Sequence, residues 1–415
     1  MKYANWMSEN DLKSYLKENI TGGQIPLLYD RETSYNINIG NTLVIGAPGS
    51  GKTQSILLPT LKKIIKNNES VVVNDPKGEL IKETEQNLKE NDYNILEITF
   101  KNQNTKNKWN PFSLPIQLYK ENKKDEAIDI IKEIMTTLLQ EKKQTGDPFW
   151  TISCIDLATG TALYLLENNK ELTLKEIYNT AQILTKDDLK KLDKTSSTYC
   201  FLTGTLSAPE ETKGSILSTF NQKIINYVTK ESLQNTISTT DFDITTIKPK
   251  KTALFITNST SEISNTLVPE LINQIIKTVE IYNQKDNKLN IILDEFDEMS
   301  PLKDYSKILT ISRQYNINNL ITIKGFLTLE SKYTKEDIEL IEMCISNLIY
   351  LYSKDINTLK KISMICGNVS KDEPLITVEE LQRLKQFEAI IKLPRLDAIK
   401  LQLIPDFKIK YRKNE

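Results

Sequence analysis

Eight consecutive residues, Gly46-Ala47-Pro48-Gly49-Ser50-Gly51-Lys52-Thr53, combine glycines, a lysine and a hydroxyl at a spacing that suits phosphate chemistry. In such a loop, successive backbone N–H groups close around the β- and γ-phosphates and the lysine brings a point charge to the same oxygens. The hydroxyl of the next residue is placed to ligate Mg²⁺. Lys52 and Thr53 take those two positions. The apolar run Thr42-Leu43-Val44-Ile45 precedes the loop and a helix-like segment from Thr53 to Ile65 follows it. Strand, glycine-rich loop and helix in that order predict a nucleoside triphosphate site; the competing reading is an ordinary Gly/Ser turn.

Cleavage of the triphosphate needs carboxylates as well. Leu289-Asn290-Ile291-Ile292-Leu293-Asp294-Glu295 reads as a buried strand ending in two adjacent acids. On a strand neighbouring the loop strand, Asp294 can hold Mg²⁺ through water, while Glu295 orients and deprotonates the attacking water. A GTPase reading rests on Asp75-Pro76-Lys77-Gly78, which has the D-x-x-G form, and on Thr185-Lys186-Asp187-Asp188, a loose T-K-x-D. These lie about 110 residues apart, the second follows a helical pattern, and neither explains Asp294-Glu295. Phosphoryl transfer also gains from an arginine supplied by a neighbour. Arg313, on the helix expected after the Asp294 strand, is the candidate, a plain surface arginine being the alternative.

Composition limits the setting. Lys+Arg total 54 against 55 Asp+Glu, a net charge of -1, so no bulk attraction to nucleic acid or anionic lipid is written into the chain. Any polyanion must be met by a local patch or a pore. The absence of histidine removes His-based catalysis, and Cys154, Cys200, Cys344 and Cys366 form no C-x-x-C pair, so the common zinc patterns are missing too. Four buried, reduced thiols are expected. No run approaches the roughly 18–20 apolar residues of a spanning helix, and no signal peptide pattern is present, so the expectation is a cytoplasmic chain. The arginines are only Arg31, Arg313, Arg383, Arg395 and Arg412.

The elements that must position these residues follow from the apolar pattern. Short apolar runs at Leu43–Ile45, Val71–Asn74, Asn94–Ile98, Ala253–Thr257, Asn290–Leu293, Leu320–Ile323 and Leu348–Tyr352 alternate with helix-like stretches. Buried parallel strands read this way, so an α/β doubly wound sheet with helices on both faces is expected. From about Leu118 to Lys213 the apolar positions recur at helical spacing, for example Ile128, Ile131, Ile134, Met135, Leu138 and Leu139. This predicts an all-α domain at 116–212 inserted into an α/β domain made of 1–115 and 213–415. Thr173-x-x-Glu176 and Ser207-x-x-Glu210 have the capping-box form, the second with Pro209 in the first turn. The charged run Lys120–Glu126 reads as a solvated linker or helix start.

The phosphate loop, Asp75-Pro76-Lys77-Gly78-Glu79-Leu80, Asn110-Pro111-Phe112, Asp147-Pro148-Phe149-Trp150 and Leu293-Asp294-Glu295-Phe296 occur in that order. In this the chain resembles the type IV coupling proteins, the TraG/TraD-class ATPases of conjugation and type IV secretion. The resemblance runs from Trp6 to about Leu393 and includes Ile311-Ser312-Arg313-Gln314-Tyr315, similar to the family's Ser-Arg-x-Tyr stretch. It implies a RecA-like P-loop NTPase sheet and an all-α domain that recognises cargo. ATP and Mg²⁺ are implied as cofactors, and a homo-hexameric ring as the assembly. It further implies ATP-driven delivery of single-stranded DNA with its relaxase, or other protein cargo, into a secretion channel at the cytoplasmic face of the membrane. Arg313 matches the arginine finger, acting in trans on a site made of Lys52, Thr53, Asp294 and Glu295.

Two departures accompany it. The strand after Arg313 usually ends in a γ-phosphate-sensing glutamine, whereas this chain has Lys324, which contacts phosphate, points to solvent, or stands one residue away from the matching position. Family members usually begin with a membrane anchor, on which ring formation can depend; this chain starts at the cytosolic module, and a monomer is the alternative to the ring. The expected function is a DNA-coupled motor. Its rivals are a related ATPase pumping protein cargo only and a non-hydrolysing, nucleotide-gated docking platform.

Overall fold

The computed structural model describes residues 3–16, 23–30, 33–100, 105–140, 146–257 and 262–409. Arg31 and Arg412 lie outside the described residues. The strands are β1 (Ile25–Asp30), β2 (Thr33–Ile37), β3 (Asn41–Gly46), β4 (Ser70–Asn74), β5 (Asn94–Thr99), β6 (Thr252–Thr257), β7 (Leu289–Leu293), β8 (Ile317–Ile323), β9 (Asn347–Tyr352), β10 (Glu388–Lys392) and β11 (Ile399–Gln402). The seven apolar runs named from sequence are β3 to β9. They fall in one nine-stranded sheet of order β11-β10-β9-β3-β8-β7-β4-β6-β5.

The pairs β3 with β8 and β9, β7 with β8, and β4 with β6 and β7 are parallel. The sheet is mixed, because β10 and β11 continue it antiparallel beyond β9. In β11, buried Ile399 and Leu401 alternate with exposed Lys400 and Gln402. That is the pattern of a half-solvated edge strand, which a search for continuous apolar runs passes over. β1 and β2 form a separate antiparallel hairpin.

The compact units are Met1–Leu96 with Thr245–Asn258 and Ile275–Glu415, and Glu97–Ile244 with Ser259–Gln274. The helical unit thus takes in more chain on both sides than 116–212. In the sheet unit, α1 (Glu9–Leu16), α2 (Leu58–Lys66) and α3 (Glu79–Glu90) come early, and α13 (Tyr305–Ser312) to α17 (Val378–Gln382) come late. Between those two, α14 is Phe326–Glu330, α15 is Lys335–Cys344 and α16 is Ile356–Cys366. Alternate strand residues Val44, Val71, Val73, Ile292, Leu320 and Ile349 share one buried cluster with Leu57, Leu61, Ile64 and Ile65. Each such side chain contributes about 1.5–3 kcal/mol through burial, and this fixes β3 and the helix after it as a rigid mount for the loop between them.

The helical unit holds α4 (Ser113–Lys120), α5 (Lys124–Leu139), α6 (Pro148–Glu167), α7 (Leu174–Ile183), α8 (Lys186–Lys191), α9 (Ser197–Leu206), α10 (Glu210–Val228) and α11 (Glu231–Ile237). α12 (Glu262–Ile281) is divided between the two units. Among the described residues α6 is long and apolar enough to cross a membrane by length and composition, but more than half of it is buried inside the fold. It packs against α5, α9 and α10, as a core helix does. The run Lys120–Glu126 covers the end of α4, the turn that follows and the first residues of α5. Thr173 caps α7 by accepting from the Glu176 N–H at 3.1 Å. Ser207 does not cap α10: it closes α9, and Pro209, expected inside the first turn, stands at the cap position before Glu210. The thiols also differ from expectation, since Cys154 and Cys366 are buried, Cys344 is half-buried and Cys200 is exposed.

Candidate nucleotide site

β3 ends at Gly46, and the loop turns back through Gly49 (φ 79°) and Gly51 (φ 96°) into a helix. Both angles lie in the left-handed region that glycine enters without a Cβ penalty. The first helical turn, Thr53–Leu57, is widened to a π-type turn before α2 begins. Ala47 donates its N–H to the Tyr352 carbonyl at 2.7 Å and so ties the loop to the end of β9. Lys52 folds back to donate to the Gly46 carbonyl. The Ser50 hydroxyl is buried without a hydrogen-bond partner among the described residues. Pro48, beside these residues, completes the loop.

Asp294 follows β7, and its strand is not the immediate neighbour of the loop strand: β8 lies between β3 and β7. The intervening strand contributes Thr322, whose hydroxyl donates to Asp294 Oδ1 at 2.7 Å. The Glu295 N–H also reaches that oxygen, at 3.0 Å, and Asn74 on β4 donates to the Asp294 carbonyl at 2.8 Å. Burial pushes the Asp294 carboxyl up, opposed by the Thr322 hydrogen bond and by Lys52. Burial likewise pushes the Lys52 ammonium down, opposed by Asp294, Asp297 and Glu295. Lysine and acids therefore share one partly desolvated space.

Glu295 adopts φ 53°, a left-handed backbone for a non-glycine residue, a strain of the kind that recurs at functional sites. Its Oε1 pairs with Lys77 Nζ at 2.9 Å. Thr322 and Asn74 were not singled out from sequence, and Lys77 entered only as part of the Asp75–Gly78 motif; proximity in the fold brings all three to the acids. Lys324, by contrast, pairs its ammonium with Glu298. Its backbone N–H donates to the buried carboxylate of Asp297 at 3.0 Å, which also accepts from Thr328 at 2.5 Å.

The two segments behind the GTPase alternative serve as helix caps. Asp75 accepts from the N–H groups of Glu79 at 3.1 Å and Ile81 at 3.0 Å, closing the start of α3. Thr185 and Asp188 form a reciprocal capping box on α8.

Arg313 closes α13 and lines a polar cavity with Asn38, Asn41, Lys288, Asn316 and Asn347. These mark the N-terminal ends of β3, β7, β8 and β9, whereas the phosphate loop follows the C-terminal end of β3. A strand of this length spans about 17–20 Å, so Arg313 does not face the loop of its own chain. Its guanidinium is exposed and has no hydrogen-bond or ion-pair partner among the described residues. Asn319 fixes the turn that carries it, donating to Ser312 Oγ at 2.8 Å and to Asn41 Oδ1 at 2.9 Å. Asn41 in turn donates to the Leu309 carbonyl at 3.0 Å.

Among solved structures, the chain is similar to the bacterial conjugative coupling protein TrwB lacking its first 70 residues, at 17% identity and a TM-score of 0.72, covering 100% of this chain and 96% of that one. TrwB with the non-hydrolysable ATP analogue ADPNP aligns at 17% identity and TM-score 0.73, covering 97% and 94%. VirB4 of Thermoanaerobacter pseudethanolicus aligns at 12% identity and TM-score 0.58, covering 92% and 97%. At these identities the likeness is one of fold: a P-loop NTPase sheet with an all-helical unit. No curated protein matches the chain in sequence. The family model described as Type IV secretory system Conjugative DNA transfer matches residues 4–383, and the chain belongs to that family.

Proposed function

We propose that the protein is an ATP-hydrolysing coupling motor of conjugative DNA transfer, working as a homo-hexameric ring at the cytoplasmic face of the membrane. The observation that carries this reading is the shared space of Lys52, Asp294 and Glu295 at the end of β3 and β7. TrwB, of the same fold, has been solved with ADPNP and with ADP and Mg²⁺. The residues present fit such a ligand. Lys52 and the unpartnered Ser50 hydroxyl line a loop closed by glycines, and burial opposes the charges of Lys52 and Asp294 in a way that an incoming polyanion and cation relieve.

In this reading Gly46 to Thr53 hold the phosphates, and Lys52 places its charge on the transferring group. Thr53 and Asp294 hold Mg²⁺, which when bound screens the phosphate oxygens. Glu295 takes the proton of the attacking water, and Arg313 of the next subunit stabilises the charge developing there. DNA phosphates are met by pore lysines, which makes binding salt-dependent and largely independent of sequence. The helical unit receives the relaxase or other cargo.

A second reading, a nucleotide-gated docking platform without turnover, draws on the pairing of Lys324 with Glu298, which occupies the cation at the end of β8. Steady-state ATP hydrolysis at several protein concentrations, with and without single-stranded DNA, beside Lys52→Ala and Arg313→Ala, separates the two. The motor gives turnover that rises more steeply than protein concentration, increases with DNA and disappears in both variants. Nucleotide binding without turnover under every condition leaves the platform.

A further inference from the structure

Nothing in the phosphate loop reads a nucleobase, yet one aromatic group is pressed against that loop from outside it. A Cβ built on Gly51 would lie 2.7 Å from both Cδ1 and Cε1 of Phe387, so the Phe387 ring packs directly on the loop backbone. Phe387 sits in the turn before β10 with φ 66°, a conformation that a bulky side chain adopts only when its surroundings enforce it. The turn is enforced: Leu403 donates its N–H to the Phe387 carbonyl at 2.8 Å, and Glu388 donates its N–H to the Lys385 carbonyl at 2.9 Å.

Beside it stands a second ring. Phe407 is 67% exposed and lies 6.4 Å from Phe387 between centroids, edge to face at 67°. The short turn that carries it, Asp406–Lys408, packs against the first helical turn after the loop, Thr53–Leu57. The ion pair of Lys62 on α2 with Asp406, at 2.6 Å, fastens that turn in place. Two chain segments far from the loop in sequence thus converge on it and leave a large aromatic face in water, on the β9–β10 side and away from the acids of β7. Covering such a ring with a flat aromatic group removes it from water and adds to affinity.

We propose that Phe387 and Phe407 form the platform on which the base of the bound nucleoside triphosphate stacks; this deepens the ATP-site reading and rests on it. The ligand class is a purine nucleotide held by its ring face. A ring face reads no hydrogen-bonding edge, so adenine and guanine are held alike, and the base adds affinity without strict selectivity.

Calorimetric titration of the full chain with the non-hydrolysable analogue AMPPNP and with inorganic tripolyphosphate, which has no base, tests this. Stacking worth about 1–3 kcal/mol per base corresponds to a loss of roughly 5- to 150-fold in AMPPNP affinity for Phe407→Ala, with tripolyphosphate affinity unchanged. Phe407→Trp retains AMPPNP binding, and GMPPNP falls in parallel with AMPPNP. Phe387→Leu, whose turn is more buried, serves beside it after circular dichroism has shown that it folds. Equal losses for AMPPNP and tripolyphosphate, or no loss for either, overturn the platform. Failure of the unsubstituted protein to bind either ligand overturns the nucleotide site itself.

Discussion

Thr322 Oγ1 lies 2.7 Å from Asp294 Oδ1, so the strand between the loop strand and the acid strand supplies the hydrogen bond that orients the proposed Mg²⁺-holding carboxylate. Thr322→Val removes that donor while keeping the shape of the side chain. A buried hydrogen bond to a charged group contributes about 1.5–3 kcal/mol. We expect kcat to fall on the order of tenfold or more and the Mg²⁺ concentration for half-maximal rate to rise, with Thr322→Ser close to wild type. An unchanged Mg²⁺ titration would sink the assignment of Asp294.

Lys77 holds Glu295 at 2.9 Å through a side chain that is 59% exposed. Exposed pairs are worth at most about 1 kcal/mol, so the lock is weak and its removal measurable. Lys77→Met is expected to raise DNA-independent hydrolysis by about two- to fivefold, with ADP affinity unchanged. A fall in kcat would mean that the pair helps the carboxylate instead of withholding it.

Arg313 and the loop of its own chain occupy opposite ends of β3. Mixing Lys52→Ala protein with Arg313→Ala protein should therefore restore activity absent from either alone, because a mixed ring contains some sites with both groups intact. Absence of any recovery, with mixed assembly verified by cross-linking, argues that the arginine acts within one chain or not at all.

Lys248 is 1% exposed and donates to the carbonyls of Gln284 and Asp286, both at 2.6 Å. Burial lowers its pKa to about 8. Lys248→Met leaves two carbonyls unpaired and should cost about 2–3 kcal/mol in chemical denaturation. The folded chain binds fewer protons than the unfolded one between pH 8 and the usual lysine pKa of about 10.4. Stability from this group therefore rises as pH increases through that window. The gap between wild type and variant should accordingly be wider at pH 9.5 than at pH 7.5.

Burial pushes the Cys154 thiol up to about 12 and the Cys366 thiol to about 11, whereas Cys200 is exposed. Alkylation proceeds through the thiolate. Iodoacetamide at pH 8 should modify Cys200 first and half-buried Cys344 more slowly, and should leave Cys154 and Cys366 unmodified until denaturant is added. Mass spectrometry of the labelled peptides reads the order directly.

Central strands were legible because both faces of them are buried: the run Val71-Val72-Val73 of β4 needs no polar alternation. β11 was missed because an edge strand exposes every second side chain, and β10 because its buried centre is only the three residues Ala389-Ile390-Ile391 between the half-buried Glu388 and Lys392. The candidate phosphate loop, Asp294 and Glu295 could be named as candidates because each pattern is local in sequence. Thr322 and Asn74 could not, and Lys77 could be quoted in a motif but not paired with Glu295, since these relations to the acids arise from strand order, which no window of sequence contains. Ser207 misled for a related reason: a three-residue spacing fits a cap wherever it occurs, and here the chain turned at Pro209 instead.

β3 has the phosphate loop at its last residue, Gly46, and at its first, Asn41, the amide that grips Leu309 and, through Asn319, the turn before Arg313. β3 is hydrogen-bonded to β8 on one side and β9 on the other, which makes it a stiff link between its two ends. In the proposed motor each subunit would then act as a stiff lever, loaded by its own nucleotide and bearing on whatever lies beside Arg313. Were the chain to close into the proposed ring, these levers would set the firing order, and weakening the Asn41–Asn319 joint would leave every site chemically complete but out of step with its neighbours.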